Sequence, residues 1–313
     1  MPTIDAIVPI YGHWEMVQRC LARLVAQETA TRVIVVDDCS PDDTAERVAA
    51  SFPQVELVRM QVNSGFAAAC NAGFAAGTGD IVVLVNSDVE SAPAMTGCLA
   101  RAFEDPAIGS AAPVILQPDG RLDALGICAD PTLAGFVRFH GASQEAVGRS
   151  APTLLGPYGA VAAYRRATIP NGLLFDENIF MYGEELDLAL RLRAAGHSSR
   201  VVQDARAVHL GGATTGKGSA RQRYLAGYGR GYLLGKYRVL HTKWAVRAVL
   251  TETIVVSLRL LASRDTSALR GRIDGFRSGR IVPAATAPVL GLETRIGFLR
   301  SLRMRSDAYW ARF

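Results

Sequence analysis

Apolar runs alternate with helical patterns through the first hundred residues, and that alternation predicts parallel strands joined by helical crossovers. Ala6 to Ile10 reads as a strand, Trp14 to Ala26 as a helix, Val33 to Val36 as a second strand and 41–51 as a second helix. Val55 to Met60 gives a third strand, Ser64 to Ala76 a third helix, and the unbroken run Ile81 to Val85 a buried fourth strand. The 41–51 helix carries a start signal: Ser40 can cap it, Pro41 suits the first turn, and Asp42 and Asp43 complement the dipole.

From Pro106 to Arg166 the pattern shifts to shorter strands with Gly, Pro and Asp breaks, so a mixed-sheet half is expected after the parallel half. Gln117-Pro118-Asp119-Gly120 reads as a turn between strands. Residues 141–152 are polar without an apolar period and read as a flexible surface loop. Beyond Lys217 the chain turns helical; Tyr224, Tyr228 and Tyr232 share one helical face, best read as core packing. The 17-residue stretch Trp244 to Leu260 contains Arg247, Glu252 and Arg259, too short and too charged for a membrane span. The expected organisation is an α/β domain over 1–216, changing character near 105, followed by a helical region over 217–313.

A chain of 313 residues, 49% of them hydrophobic, can bury a large core. Its net charge of +5 conceals an asymmetry: residues 1–216 hold 15 Arg/Lys against 24 Asp/Glu, and residues 217–313 hold 19 against 5. By charge alone the basic region could face nucleic acid or an anionic membrane or be a solvated helical face, and an oligomer contact in a homodimer is a further reading. The five cysteines are odd in number and form no CxxC pair, which argues against a disulfide framework and a zinc site. With no basic-then-apolar leader at Met1-Pro2-Thr3-Ile4-Asp5, a cytoplasmic location is expected.

Candidate chemistry gathers at strand ends. Asn86-Ser87-Asp88 follows the buried fourth strand, where open α/β sheets bind ligands, and the Asp88 carboxylate suits a hard cation such as Mg²⁺ or Mn²⁺. A lone Asp there is ordinarily a turn residue, but His209, ending the apolar run Ala207-Val208-His209, offers a second ligand. His13, His140, His197 and His241 lack such a setting. Asp37-Asp38 ends the second strand, where a carboxylate could accept from a pyrimidine imide or simply satisfy the turn. Asn63 to Gly73 opens a helix with small residues that let backbone N–H groups approach a phosphate, or that merely permit tight packing. It matches neither GxGxxG nor a Walker loop, which disfavours dinucleotide and ATP readings. Gly183-Glu184-Glu185-Leu186-Asp187 puts three carboxylates at a helix start; Asp187 is spaced to pair with Arg191, leaving Glu184 and Glu185 for chemistry or for the helix dipole.

Taken in order, Asp37-Asp38, Asn63 to Gly73, Asn86-Ser87-Asp88, Gly183 to Asp187 and His209 resemble the family-2 glycosyltransferases of the GT-A fold over about residues 3–240, in particular the rhamnosyltransferase and galactofuranosyltransferase branch. The resemblance implies a nucleotide-diphospho-sugar donor, a divalent metal, and inversion at the anomeric carbon by direct displacement. It implies a nucleotide-sugar-binding half over about 1–105 and an acceptor half over 106–216. Asn86 stands where the family commonly has the first Asp of its metal element, so Asp88 with His209 is expected to hold the metal while Asn86 and Ser87 face ribose or phosphate. Glu185 stands where the family has the general-base Asp, with Glu184 beside it. Pro9, Tyr11, Asp38, Asn63, Gly65 and Asn71 are expected at the donor nucleotide.

dTDP-rhamnose is the first-choice donor and a UDP-sugar the second; the expected acceptor is a glycan or a polyprenyl-diphosphate-linked saccharide of bacterial polysaccharide synthesis, with no nucleic-acid partner. Such an acceptor would set the basic region against an anionic membrane. A sugar-1-phosphate nucleotidyltransferase would need a glycine- and lysine-rich loop that Pro9-Ile10-Tyr11-Gly12-His13 lacks. A catalytically silent nucleotide-sugar-binding protein stays open because of Asn86 and Glu185.

Overall fold

Nine strands form the central sheet of the computed structural model, which describes residues 2–148, 151–211, 218–288, 290–306 and 308–311. The first half runs β1 (Ile4–Ile10), α1 (Trp14–Val25), β2 (Arg32–Asp37), α2 (Thr44–Ser51), β3 (Glu56–Arg59), α3 (Phe66–Ala76) and β4 (Ile81–Val85). Then come β5 (Val89–Ser91), α4 (Met95–Arg101), β6 (Ile108–Leu116), β7 (Leu122–Ala124), β8 (Ile127–Ala129), β9 (Gly135–Val137), β10 (Val161–Arg165), α5 (Glu184–Ala194) and β11 (Ser198–His209). The last part is helical: α6 (Ala220–Lys236), α7 (Ala245–Ser263), α8 (Ser267–Ile281) and α9 (Phe298–Arg303).

The strand order is β3-β2-β1-β4-β10-β6-β11-β5, with β7 paired to β6 and β8-β9 forming a separate two-stranded sheet. β1 to β4 are mutually parallel, and β10 enters antiparallel between β4 and β6. The chain crosses from β1 out to β3 and returns to β4 on the other side of β1, so the ends of β1 and β4 flank a topological switch point.

Successive strand residues point to opposite faces, and both faces are covered. Ala6, Val8, Val33, Val35, Val83 and Val85 pack under α1 and α4, while Ile7, Ile34, Val36, Val82 and Leu84 pack against α3 and α5. Burial on both sides explains why these strands read as unbroken apolar runs.

Two expectations shift. The second helix begins at Thr44 instead of 41, because Ser40 does not cap it: Ser40 Oγ accepts from Gly12 N at 2.7 Å, and Asp42 carboxylate oxygens accept from His13 N and Thr44 N. The 40–43 segment is thereby drawn into a tie with the turn after β1. Within 141–152, residues 149 and 150 lie outside the described set, and the rest is partly packed: Ala142 and Ala146 are buried in a cluster with Phe139 and Trp310. Small side chains let a polar-looking loop sit against the core. The 117–120 turn is present, with Gly120 N donating to Gln117 O at 2.9 Å between β6 and β7.

The helical region shares a core with the sheet-bearing part: Tyr232, Leu233 and Tyr237 of the α6 end pack with Leu186, Ala189 and Leu190 of α5. Tyr237 Oη donates to Asp187 Oδ1 at 2.9 Å, and Lys236 Nζ lies 2.7 Å from the same oxygen. α6 and α8 cross closely because each carries glycine at four-residue spacing, Gly227-Gly231-Gly235 against Gly271-Gly275-Gly279. A Cβ at Gly231 would lie 2.1 Å from Arg272 O, and one at Gly275 would lie 2.0 Å from Tyr228 O. Tyr228 and Tyr232 stack at 6.2 Å within this packing.

Candidate active site

β4 ends at Val85, and the next three residues turn tightly, with Asn86 N donating to Ala160 O and Val89 N to Asn86 O. This delivers Asp88 to the last residue of β11, where Leu210 N donates to Asp88 O at 2.9 Å. His209 Nε2 stands 3.3 Å from Asp88 Oδ1. Its other ring nitrogen, Nδ1, is 2.8 Å from Asp123 Oδ2, and His140 Nδ1 is 3.2 Å from Asp123 Oδ1. The Tyr158 ring meets the His209 ring edge-on at 6.5 Å. Burial would lower the His209 pKa, but the bonds to Asp123 and Asp88 outweigh it and push it up to about 10. Burial would raise Asp123, yet the two histidines hold it at about 2.

Asp123 and His140 are the residues that sequence reasoning missed. Asp123 is a carboxylate inside a three-residue apolar strand just past a Pro-Asp-Gly turn, a signal that could have found it. His140 reaches the cluster only through folding.

The arrangement suits a divalent cation. Two cis ligands about 2.1 Å from an octahedral ion lie about 3 Å apart, close to the Nε2–Oδ1 separation. Without a cation the raised pKa keeps His209 an imidazolium bonded to both carboxylates; a cation would have to displace the Nε2 proton, and Asp123 on Nδ1 is then the carboxylate–histidine pattern that holds the ring plane of a metal ligand. Among the described residues no group of three or more His, Cys, Asp or Glu could hold a metal, so a cation here would take its remaining ligands from phosphate and water. Asn86 Oδ1 is buried without a hydrogen-bond partner among the described residues, leaving an acceptor beside Asp88.

The carboxylates at the start of α5 share a side-chain hydrogen bond but differ in exposure. Tyr182 and Gly183 both adopt positive φ, 72° and 109°, and swing the chain so that Glu185 lines a cavity of about 480 Å³ with Tyr158, Tyr182 and His140. Glu184 is buried, its Oε2 without a hydrogen-bond partner among the described residues. Burial and the neighbouring Glu185 charge push Glu184 well above the usual carboxylate range, so Glu184 keeps its proton. Burial raises Glu185 as well, leaving it the carboxylate of the pair that ionises and faces the cavity. Asp187 has the structural job expected of it, 2.9 Å from Arg191 Nε.

At the other strand ends the carboxylates serve the backbone. Asp37 Oδ1 accepts from Ser40 N at 3.0 Å. Asp38 accepts from Ser64 N at 2.7 Å and Gly65 N at 2.9 Å, which fixes the entry to α3. Burial still raises its pKa despite those two bonds. Gly65, at φ 92°, packs against Phe180, 2.6 Å from where its Cβ would be. Asn71 is consumed in bracing: its amide donates to Phe175 O and Glu177 Oε1 and accepts from Phe175 N, each at 2.9 Å. Asn63 is exposed, Pro9 and Tyr11 are half-buried beside the switch point, and Ser87 is buried next to Asp88.

A model of glycosyl transferase family 2 matches residues 5–167, more than half of the chain. The protein belongs to that family. This glycosyltransferase is 27% identical over 242 residues to an N-acetylglucosaminyl-diphospho-decaprenol L-rhamnosyltransferase of Mycobacterium tuberculosis, covering 69% of this chain and 79% of that one. A second relative from the same species, the uncharacterized protein MT1568, is 31% identical over 112 residues, and the chain spans only 35% of its length. Among solved structures, the mannosyltransferase PcManGT of Pyrobaculum calidifontis, in complex with GDP-Man and Mn²⁺, superposes with a TM-score of 0.53 at 17% identity. That superposition covers 90% of this chain and 85% of the other, and bears out the GT-A fold. The glycosyltransferase thus has a curled mixed sheet with a helical C-terminal portion.

Proposed function

We propose that this glycosyltransferase moves a sugar, with inversion, from a nucleotide-diphospho-sugar to a hydroxyl of a glycan or a polyprenyl-diphosphate-linked saccharide in bacterial cell-surface glycan synthesis. The observation that carries this reading is the Asp88–His209–Asp123 chain at the switch point together with Glu185 on the adjoining cavity. Glu185 accepts the proton of the attacking hydroxyl as its oxygen bonds to the anomeric carbon. The bond from that carbon to the diphosphate breaks, and the nucleoside diphosphate leaves with the electron pair. Asp88 and His209 would hold Mg²⁺ or Mn²⁺, which when bound neutralises the diphosphate. Asp123 holds the His209 ring in place, and Asn86 and Ser87 face the donor.

dTDP-rhamnose is the favoured donor, supported by the 27% identity to the rhamnosyltransferase, and a UDP-sugar is second. Release of nucleoside diphosphate from a donor panel, with and without Mn²⁺, is the test. Turnover with dTDP-rhamnose that needs the cation supports the reading; no release from any donor favours a silent binding protein. Greater thermal stabilisation by GDP than by dTDP or UDP overturns the donor assignment.

The site of work would be the cytoplasmic membrane face. Among the described residues no helix is long and apolar enough to cross a membrane. α7, however, exposes Val246, Val249, Leu250, Leu258 and Leu261 along its length, Leu261 at 80%, in a region rich in arginine. An apolar helix face with basic flanks suits an anionic bilayer surface. Co-sedimentation with anionic vesicles, lost on Leu258→Glu/Leu261→Glu, is expected; indifference to lipid charge and to these changes overturns it.

A further inference from the structure

The cavity that Glu185 lines is also lined by four arginines: Arg230 from α6, Arg259 from α7, Arg272 from α8 and Arg305 beyond α9. Three of them converge on one carboxylate. Glu252 Oε1 accepts from Arg230 Nε at 2.8 Å and Arg305 Nη2 at 2.9 Å, and Glu252 Oε2 accepts from Arg272 Nε at 2.8 Å. Glu252 is 9% exposed, and the three guanidinium side chains lie between 11% and 17% exposed.

Three cations around one anion in a largely dehydrated place leave positive charge uncompensated, an arrangement that costs free energy unless another anion joins it. Asp130 acts on Arg305 through its charge but is engaged elsewhere. Asp130, fully buried, is 2.8 Å from Arg247 Nη2 and spends its Oδ1 on Thr132. Arg305 lines the cavity, and its Nε is buried behind that lining with no hydrogen-bond acceptor among the described residues. Burial depresses the Arg305 pKa. Glu252 is held well below the carboxylate range, burial being outweighed by its arginines, so its single charge is already spent.

We infer that this cavity is an anion site, and that the anion is the phosphate or diphosphate of the acceptor, gripped by Arg259, Arg272 and Arg305 while its saccharide hydroxyl reaches Glu185. Guanidinium forks match phosphate oxygens in geometry and charge, with charge-assisted bonds stronger than neutral ones. A volume of about 480 Å³ falls within the range of small-molecule sites, ~300–1,000 Å³. The acceptor identity rests on the glycosyl-transfer reading; the anion site itself does not.

The test is calorimetric titration of the whole protein with inorganic pyrophosphate and with farnesyl diphosphate, in a chelator so that a metal-dependent donor site stays silent. Arg259→Gln is the informative variant, because Arg259 is exposed on α7 and is not one of the three arginines bonded to Glu252, and its urea denaturation midpoint, compared with that of the parent protein, separates lost binding from lost folding. Saturable binding is expected, unchanged in Asp88→Asn and weakened about tenfold in Arg259→Gln, the loss of one charge-assisted bond. Tighter binding of farnesyl diphosphate than of pyrophosphate assigns the site to a lipid-linked headgroup, and equal binding to a free diphosphate. Absence of binding by both, equal binding in Arg259→Gln, or loss in Asp88→Asn overturns the site. Arg259-dependent binding in a protein that releases nucleoside diphosphate from no donor would keep this site and sink the transfer reading.

Discussion

Glu184 and Glu185 are adjacent, hydrogen-bonded carboxylates, of which Glu184 is buried and Glu185 lines the cavity, so Glu185 is the one placed to meet the proposed acceptor hydroxyl. Glu185→Gln is expected to cut turnover on the order of 10²- to 10⁴-fold while donor binding, followed by calorimetry, stays within a factor of two or so. Burial raises the Glu185 pKa, and the proposed base is its ionised form. Turnover should therefore fall as pH drops through a value above the ordinary 4.5, and a pH–rate profile with no such acid limb would remove Glu185 from the role. Asp123→Asn tests the support of His209: an outer carboxylate on a metal-bound imidazole is worth about 10- to 100-fold in metal affinity, read from the Mn²⁺ dependence of turnover. An unchanged Mn²⁺ half-saturation would leave Asp123 a purely structural partner.

At the scale of elements, the turn that aims Glu185 is held by a helix from the C-terminal region. A Cβ at Gly229 of α6 would sit 1.8 Å from Tyr182 O, so α6 can lie against the Tyr182-Gly183 turn only because residue 229 has no side chain. Gly229→Ala should cost about 1–3 kcal/mol of stability, measured by urea denaturation, and lower turnover by displacing Glu185. Wild-type turnover in that variant would show that the turn tolerates the shift. Regular glycine spacing in α6 and α8 is visible in the sequence, but which helix each glycine row faces is decided by packing. Helix α2 teaches the converse: its cap signals were present at Ser40 to Asp43, and long-range bonds to Gly12 and His13 claimed them first.

Across the whole molecule, Glu252 and its three arginines tie α6, α7, α8 and the segment after α9 together. Its folded-state pKa is depressed, so the stability it contributes is present above the ordinary value of 4.5 and is lost as pH falls through the lower folded value. Glu252→Gln should lower stability at neutral pH by about 3–5 kcal/mol and flatten the acid limb of a stability–pH curve. A variant with the wild-type acid limb would show that other carboxylates govern acid unfolding.

The sequence by itself determined the parallel half and marked Asp88, His209 and Glu185 as candidate site residues. Strands buried on both faces must be unbroken apolar runs, and strand ends at a switch point are where polar residues can stand out. Only the tertiary structure decided that Asp123, 86 positions from His209, fixes that imidazole, that Asn71 braces a loop, and that arginines from four segments share one cavity. Pairings of that kind have no periodicity along the chain: they arise when buried charges must find partners among whatever the packed layers bring near.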